Sequence, residues 1–122
     1  MSRVREKKRP GPPRRRIFYD RIGFQITKML HEEMKSISEQ RDLRFEDVYA
    51  EAIRRFLEIR DNKKILYTPA PARRIATRVT VPMEPSLAQS ARAVSLLDQQ
   101  RLTDVFQTAV WLYLDSLDRL PP

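Results

Sequence analysis

Between Arg21 and Thr27 the chain alternates: Ile22, Phe24 and Ile26 are apolar, and Arg21, Gly23, Gln25 and Thr27 are not. A period of two predicts a strand with one buried face. Alone, such a strand would leave its backbone N–H and C=O groups unpaired. Past it the period lengthens. Leu30, Met34 and Ile37 recur at helical spacing, so a helix is expected from near Thr27 or Lys28. A stronger stripe follows at Phe45, Val48, Tyr49, Ala52, Ile53, Phe56 and Leu57.

The whole pattern then recurs. A shift of 57 lays residues 21–58 over 78–115 without a gap. "RIGFQITKML" falls on "RVTVPMEPSL", and "LRFEDVYAEAIRRFLE" on "QRLTDVFQTAVWLYLD". Ile22, Phe24 and Ile26 become Val79, Val81 and Met83, while Arg21, Ser38, Arg44, Asp47 and Ala52 become Arg78, Ser95, Arg101, Asp104 and Ala109. In the second copy Leu87, Ala91 and Val94 mark one helix, with Pro85 in its first turn, where a missing N–H costs nothing. Leu102, Val105, Phe106, Ala109, Val110, Tyr113, Leu114 and Leu117 mark the next. Each repeat therefore reads strand, helix, helix.

Neither repeat is long enough to bury a core alone. Two copies about a pseudo-twofold axis can do so. The two strands then pair antiparallel as a ribbon over four helices, with Ile22, Phe24, Ile26, Val79, Val81 and Met83 facing inward. The expected fold is mostly α with a two-stranded antiparallel ribbon, in the order β-α-α-linker-β-α-α. Its parts are a basic arm at 1–16, a first half at 17–60, a linker at 61–76 broken by Pro69 and Pro71, and a second half at 77–120. Residues 17–120 are expected to fold as one domain.

The alternating strand, the turns "ITKML" and "MEPSL", and the helices "EDVYAEAI" and "TDVFQTAV" resemble the ribbon-helix-helix family of DNA-binding proteins, here as a fused tandem in one chain. The resemblance implies that the ribbon enters the DNA major groove and that outward strand side chains touch bases. Those positions are Arg21, Gly23 and Gln25, and Arg78, Thr80 and Pro82. Arg can bond guanine through both ends of its fork, Gln can do the same with adenine, and Thr offers a hydroxyl and a methyl. Pro82 offers an apolar contact only, and Gly23 no side chain. The resemblance also implies phosphate contacts at the second-helix N-termini, near Arg44 and near Arg101 and Thr103, with Lys28 as a further contact. Arg is a poor N-cap, and a phosphate beside it would relieve its repulsion from the helix dipole. Thr103 could instead cap the helix one position later.

Charge is concentrated at one end. Residues 1–16 carry eight Lys/Arg and one Glu, a net +7 out of +8 for the chain. With Pro10, Pro12 and Pro13 and little that is apolar, this arm cannot build a core. It suits a polyanion, with Arg14, Arg15 and Arg16 as phosphate contacts; a solubilising tail or an acidic membrane surface are the other readings. The absence of Cys excludes disulfides and fits a bacterial cytoplasm. Neither a run of membrane-spanning length nor a secretory h-region is present.

Gly-rich phosphate loops, paired carboxylates and nucleophile–base arrangements are missing, so a non-enzymatic protein without cofactor or metal is expected. His31, beside Glu32 and Glu33, is expected to be solvated surface. Trp111 and Leu112 replace Arg54 and Arg55 on the polar side of the stripe. They either pack under the linker or form a protein-contact patch. The fused arrangement with a basic lead is similar to accessory proteins of T-DNA transfer. That implies a monomer on double-stranded DNA, assisting conjugative-type processing with a relaxase and a ParA-like ATPase. A transcriptional repressor and an antitoxin-like interaction module are the alternatives.

Overall fold

The structure, a computed structural model, describes residues 19–68 and 71–121. The basic arm, including Arg14, Arg15 and Arg16, lies outside the described residues. Strand β1 (Asp20–Thr27) leads into helices α1 (Lys28–Gln40) and α2 (Phe45–Asn62). After a short 3-10 turn at Arg73–Ile75 come strand β2 (Ala76–Met83) and helices α3 (Pro85–Leu97) and α4 (Leu102–Ser116). The strands pair antiparallel as a two-stranded ribbon. The fold is a single-chain, pseudo-twofold ribbon-helix-helix.

The repeat offset holds in the detail. α1 and α3 begin and end 57 residues apart, and α2 and α4 begin 57 apart. The turn between helices uses a left-handed residue in each half, Asp42 (φ 55°) and Gln99 (φ 56°). Any side chain makes that conformation costly, least so for Asp or Asn, as at Asp42. The N–H of Leu43 donates to the carbonyl of Ser38, and that of Gln100 to Ser95, both at 2.8 Å. The Ser38 hydroxyl donates to the carbonyl of Lys35 and the Ser95 hydroxyl to that of Arg92, both at 2.7 Å. The retained serines thus make the same local back-bond, three residues upstream, in the last turns of each first helix.

The core lies between the ribbon and the helices. All six inward strand residues, Ile22, Phe24, Ile26, Val79, Val81 and Met83, are buried. Phe24 stacks on Phe106 of α4 with ring centroids 4.0 Å apart, joining the two halves at their centre. The α2 and α4 stripes bury Tyr49, Ile53, Phe56, Phe106, Val110 and Tyr113 beneath it. Burial on this scale is the main favourable term in folding.

One reading changes. His31 is not free surface. Its Nδ1 lies 2.7 Å from the hydroxyl of buried Tyr49, a residue that needs a polar partner there. The crossing of α1 and α2 brings them together, which no local pattern shows. Burial lowers the His31 pKa from its ordinary value, Lys35 lowers it further, and Glu32 partly opposes both. Leu112 is half-buried and packed against the core, and it lines a small pocket with Ala52, Phe56 and Ile59 at the α2–α4 crossing. Trp111 remains 37% exposed.

The linker is strapped down before it reaches β2. Asp98 accepts two hydrogen bonds from Arg60, at 2.8 and 2.6 Å, and one from the Tyr67 hydroxyl. The Thr68 N–H donates to Thr108 Oγ1 at 3.0 Å. The Arg60 guanidinium, with help from Tyr67, holds the Asp98 carboxyl down at about 2 against the opposing effect of burial. No helix among the described residues is long and apolar enough to cross a membrane.

Candidate nucleic-acid interface

Strand alternation puts six residues on the outer face, and the register arranges them in three cross-strand pairs. Arg21 lies opposite Pro82, Gly23 opposite Thr80, and Gln25 opposite Arg78. The offset of 57 turns Gly23 into Thr80, so the pseudo-twofold axis passes through that pair. The two arginines therefore sit at opposite ends of the face. Arg21, Arg78 and Thr80 are exposed; Gly23, Gln25 and Pro82 are partly covered. A Cβ at Gly23 would fall 2.6 Å from Nη2 of Arg78, so that guanidinium lies across the glycine.

The arginines separate into two classes. Arg41, Arg44, Arg54, Arg55, Arg60, Arg92, Arg101 and Arg119 each have a carboxylate within 4.0 Å. Among the described residues the others are Arg21, Arg73, Arg74 and Arg78, for which no ion pair is found. All four lie on the ribbon or immediately before β2, and all are exposed. Positive charge left without an internal acid is charge available to an external anion.

The edge of β1 is sealed by α4. The Gln25 N–H donates to Thr103 Oγ1 at 3.1 Å, and the Thr27 N–H to Gln107 Oε1 at 3.2 Å. Gln107 Nε2 donates back to the Thr27 hydroxyl at 2.8 Å. Thr103 thus serves the strand edge, and its hydroxyl proton remains able to donate outward. On the other strand the position equivalent to Gln25 is Pro82. Its backbone nitrogen also faces outward and carries no hydrogen, so this edge needs no matching acceptor.

Comparison with protein-family models, curated proteins and solved structures finds no match to this chain.

At the helix starts, Arg44 and Arg101 occupy the N-cap positions in extended conformation, and neither side chain caps. Asp104 does that work in α4: its carboxylate accepts from the Arg101 N–H at 3.0 Å and draws the Arg101 guanidinium to 3.3 Å. In α2, Glu46 lies 4.0 Å from the Arg44 guanidinium. These arginines are therefore anchored to their own first turns, with the Arg101 side chain still 71% exposed. In both helices the third N–H of the first turn bonds back to the N-cap carbonyl, Asp47 to Arg44 at 3.0 Å and Asp104 to Arg101 at 2.9 Å, and a helix start of this kind favours an anion through its dipole. Lys28 is the exposed first residue of α1.

Arg73 and Arg74 are the site residues that the motif reading missed. The signal was present, since continuing the offset of 57 upstream lays Arg73 over Arg16. Each strand is thus preceded by arginine. Because the strands run antiparallel, their starts lie at opposite ends of the ribbon. Among the described residues no group of three or more His, Asp or Glu side chains converges as a metal site.

Proposed function

We propose that this chain is a non-enzymatic DNA-binding protein that lays its ribbon in the major groove of duplex DNA. The supporting observation is the distribution of unneutralised arginine: the four described arginines without an acid partner are on the ribbon or at its end. A two-stranded ribbon fits the major groove, and an arginine fork reads guanine there. The N-termini of α2 and α4, with Lys28, then flank the ribbon as phosphate contacts. The arm at 1–16 adds affinity of a kind that does not depend on sequence.

The proposed setting is conjugative-type T-DNA processing and transfer, with a relaxase and a ParA-like ATPase as partners. This setting rests on the likeness of the fused architecture and basic lead to the overdrive-binding accessory virulence protein of agrobacterial T-DNA transfer. An antitoxin-like protein-contact role is the second reading, favoured by the exposure of Leu96, Leu97 and Trp111.

The test is the double variant Arg21→Ala, Arg78→Ala. It loses tight duplex binding at about 150 mM salt while melting like the parent. Unchanged affinity would overturn the groove reading and favour the protein-contact role. Deleting residues 1–16 weakens binding and flattens its salt dependence without altering preference among sequences.

A further inference from the structure

Resting on that DNA reading, we propose that Gly23 is a specificity-determining position. Its missing side chain seats the Arg78 guanidinium at the pseudo-twofold axis, so the ribbon offers one central guanine-reading fork and recognises an asymmetric duplex site.

The glycine is occupied space rather than open space. A Cβ built on it would lie 2.6 Å from Nη2, 3.2 Å from Cζ and 3.3 Å from Nε of Arg78. These three atoms span the guanidinium, so the planar group lies over the glycine. Arg78 is opposite Gln25 and diagonal to Gly23, within the reach of a long side chain across a ribbon. Its guanidinium has no acid partner among the described residues, so two donors of its fork are free to meet a base edge.

The symmetry-related arrangement is blocked. Arg21 stands to Thr80 as Arg78 stands to Gly23, but Thr80 has a branched side chain on the same outer face. Arg21 therefore lacks the seat that Arg78 has, and stands opposite Pro82, which has nothing to donate. Arg78 keeps the centre, beside Gln25, which can read adenine. A face built this way has one half with two adjacent reading side chains, Arg78 and Gln25, and one with Arg21 alone beside Pro82. It matches a site with one well-defined G·C pair near the middle and distinct flanks, not a palindrome.

The substitution that tests this is mild. The atoms a new Cβ would meet are the far end of a flexible side chain, so Gly23→Ala displaces the guanidinium and leaves the backbone in place. The parent, Gly23→Ala, Arg78→Ala and Thr80→Gly are each used to select bound sequences from random duplex DNA, and thermal melting checks the fold. The parent is expected to enrich an asymmetric site with one central G·C pair. Gly23→Ala and Arg78→Ala each lower discrimination at that pair about tenfold, and the two together lower it no further than either alone. Thr80→Gly gives Arg21 the same seat and moves the selected site toward a palindrome. A palindromic parental site, or an unchanged preference in a folded Gly23→Ala, overturns the proposal while leaving the DNA reading intact. Absence of parental binding to any duplex overturns both. A measurement without DNA checks the geometry: proton NMR of the free parent shows contacts between the Gly23 α-protons and the Arg78 δ-protons. Absence of those contacts removes the premise.

Discussion

Ser38 and Ser95 make the same hydrogen bond to the same turn of α1 and α3, and Asp42 and Gln99 turn the same corner after them. On the outside the correspondence fails. Glu39, Gln40 and Arg54 of the first half become Leu96, Leu97 and Trp111 in the second, with exposures of 79%, 72% and 37%. Arg41 becomes Asp98, and Gln25 becomes Pro82. Two separate identical chains could not differ in this way, because one sequence would serve both positions. Fusion removes that constraint from the surface. In the core the difference is narrower: buried positions stay apolar or aromatic and change in size, as Phe24 and Val81 do, while each strand packs on the partner half's helix.

The core part of the comparison breaks most expensively. Phe24→Ala empties the stack on Phe106 and costs about 3–5 kcal/mol. The equivalent change Val81→Ala removes less volume and costs about 2 kcal/mol. Urea unfolding measures both. Equal costs would show that the centre of the core is not shared unequally between the halves.

The ribbon edges give the next contrast. Thr103→Val removes the acceptor for the Gln25 N–H and costs about 1–2 kcal/mol, because a partly buried donor is left unmet. The other edge has no such debt, since Pro82 has no N–H. A Thr103→Val variant as stable as the parent would mean that water replaces the hydroxyl at no cost.

The Arg60–Asp98 pair joins the two halves and has no pseudo-symmetric copy, since the offset relates Arg60 to Leu117 and Asp98 to Arg41. Asp98→Asn costs about 1 kcal/mol at neutral pH, a modest sum because both side chains are partly solvated. The folded Asp98 carboxyl titrates at about 2, below its ordinary 3.8. Its contribution is therefore present above pH 3.8 and is lost as pH falls through that value toward 2. Acid unfolding of Asp98→Asn should lack that component. Smaller still is the effect of giving the second half the first half's surface. Leu96→Glu with Leu97→Gln changes stability by no more than about 0.5 kcal/mol, and sedimentation shows the same oligomeric state as the parent. A large loss would reveal that these leucines are covered in solution.

What the sequence made legible was whatever depends on period. The alternation of Ile22, Phe24 and Ile26 and its echo in Val79, Val81 and Met83 specify the buried ribbon face, and the stripes of α2 and α4 specify the helix faces. The strand-to-helix step at Thr27–Lys28 was readable because the period changes there. Contacts across elements were not. The seat that Gly23 provides for Arg78 depends on the strand register, and Gln25–Thr103 depends on where α4 crosses the ribbon edge. Arg73 was readable in principle, from an offset carried five residues further upstream to Arg16; Arg74 falls on Ile17 and was not.

His31 and Tyr49 bring the comparison to its finest scale. Shifted by 57 they become Ala88 and Phe106, so a half-buried polar pair in one half is an apolar pair in the other. His31→Ala alone leaves the Tyr49 hydroxyl without its partner and costs about 1 kcal/mol. Adding Tyr49→Phe borrows the second half's solution entire and recovers most of that loss, since removing both partners of a buried hydrogen bond is nearly neutral. The pH dependence separates the two arrangements. Burial makes the folded His31 harder to protonate than the unfolded one, so the unfolded chain binds more protons just below pH 6.5. Parental stability is complete above 6.5 and declines as pH falls through that value toward the lowered folded pKa. The double variant should show no such decline; if it does, some group other than His31 carries the titration.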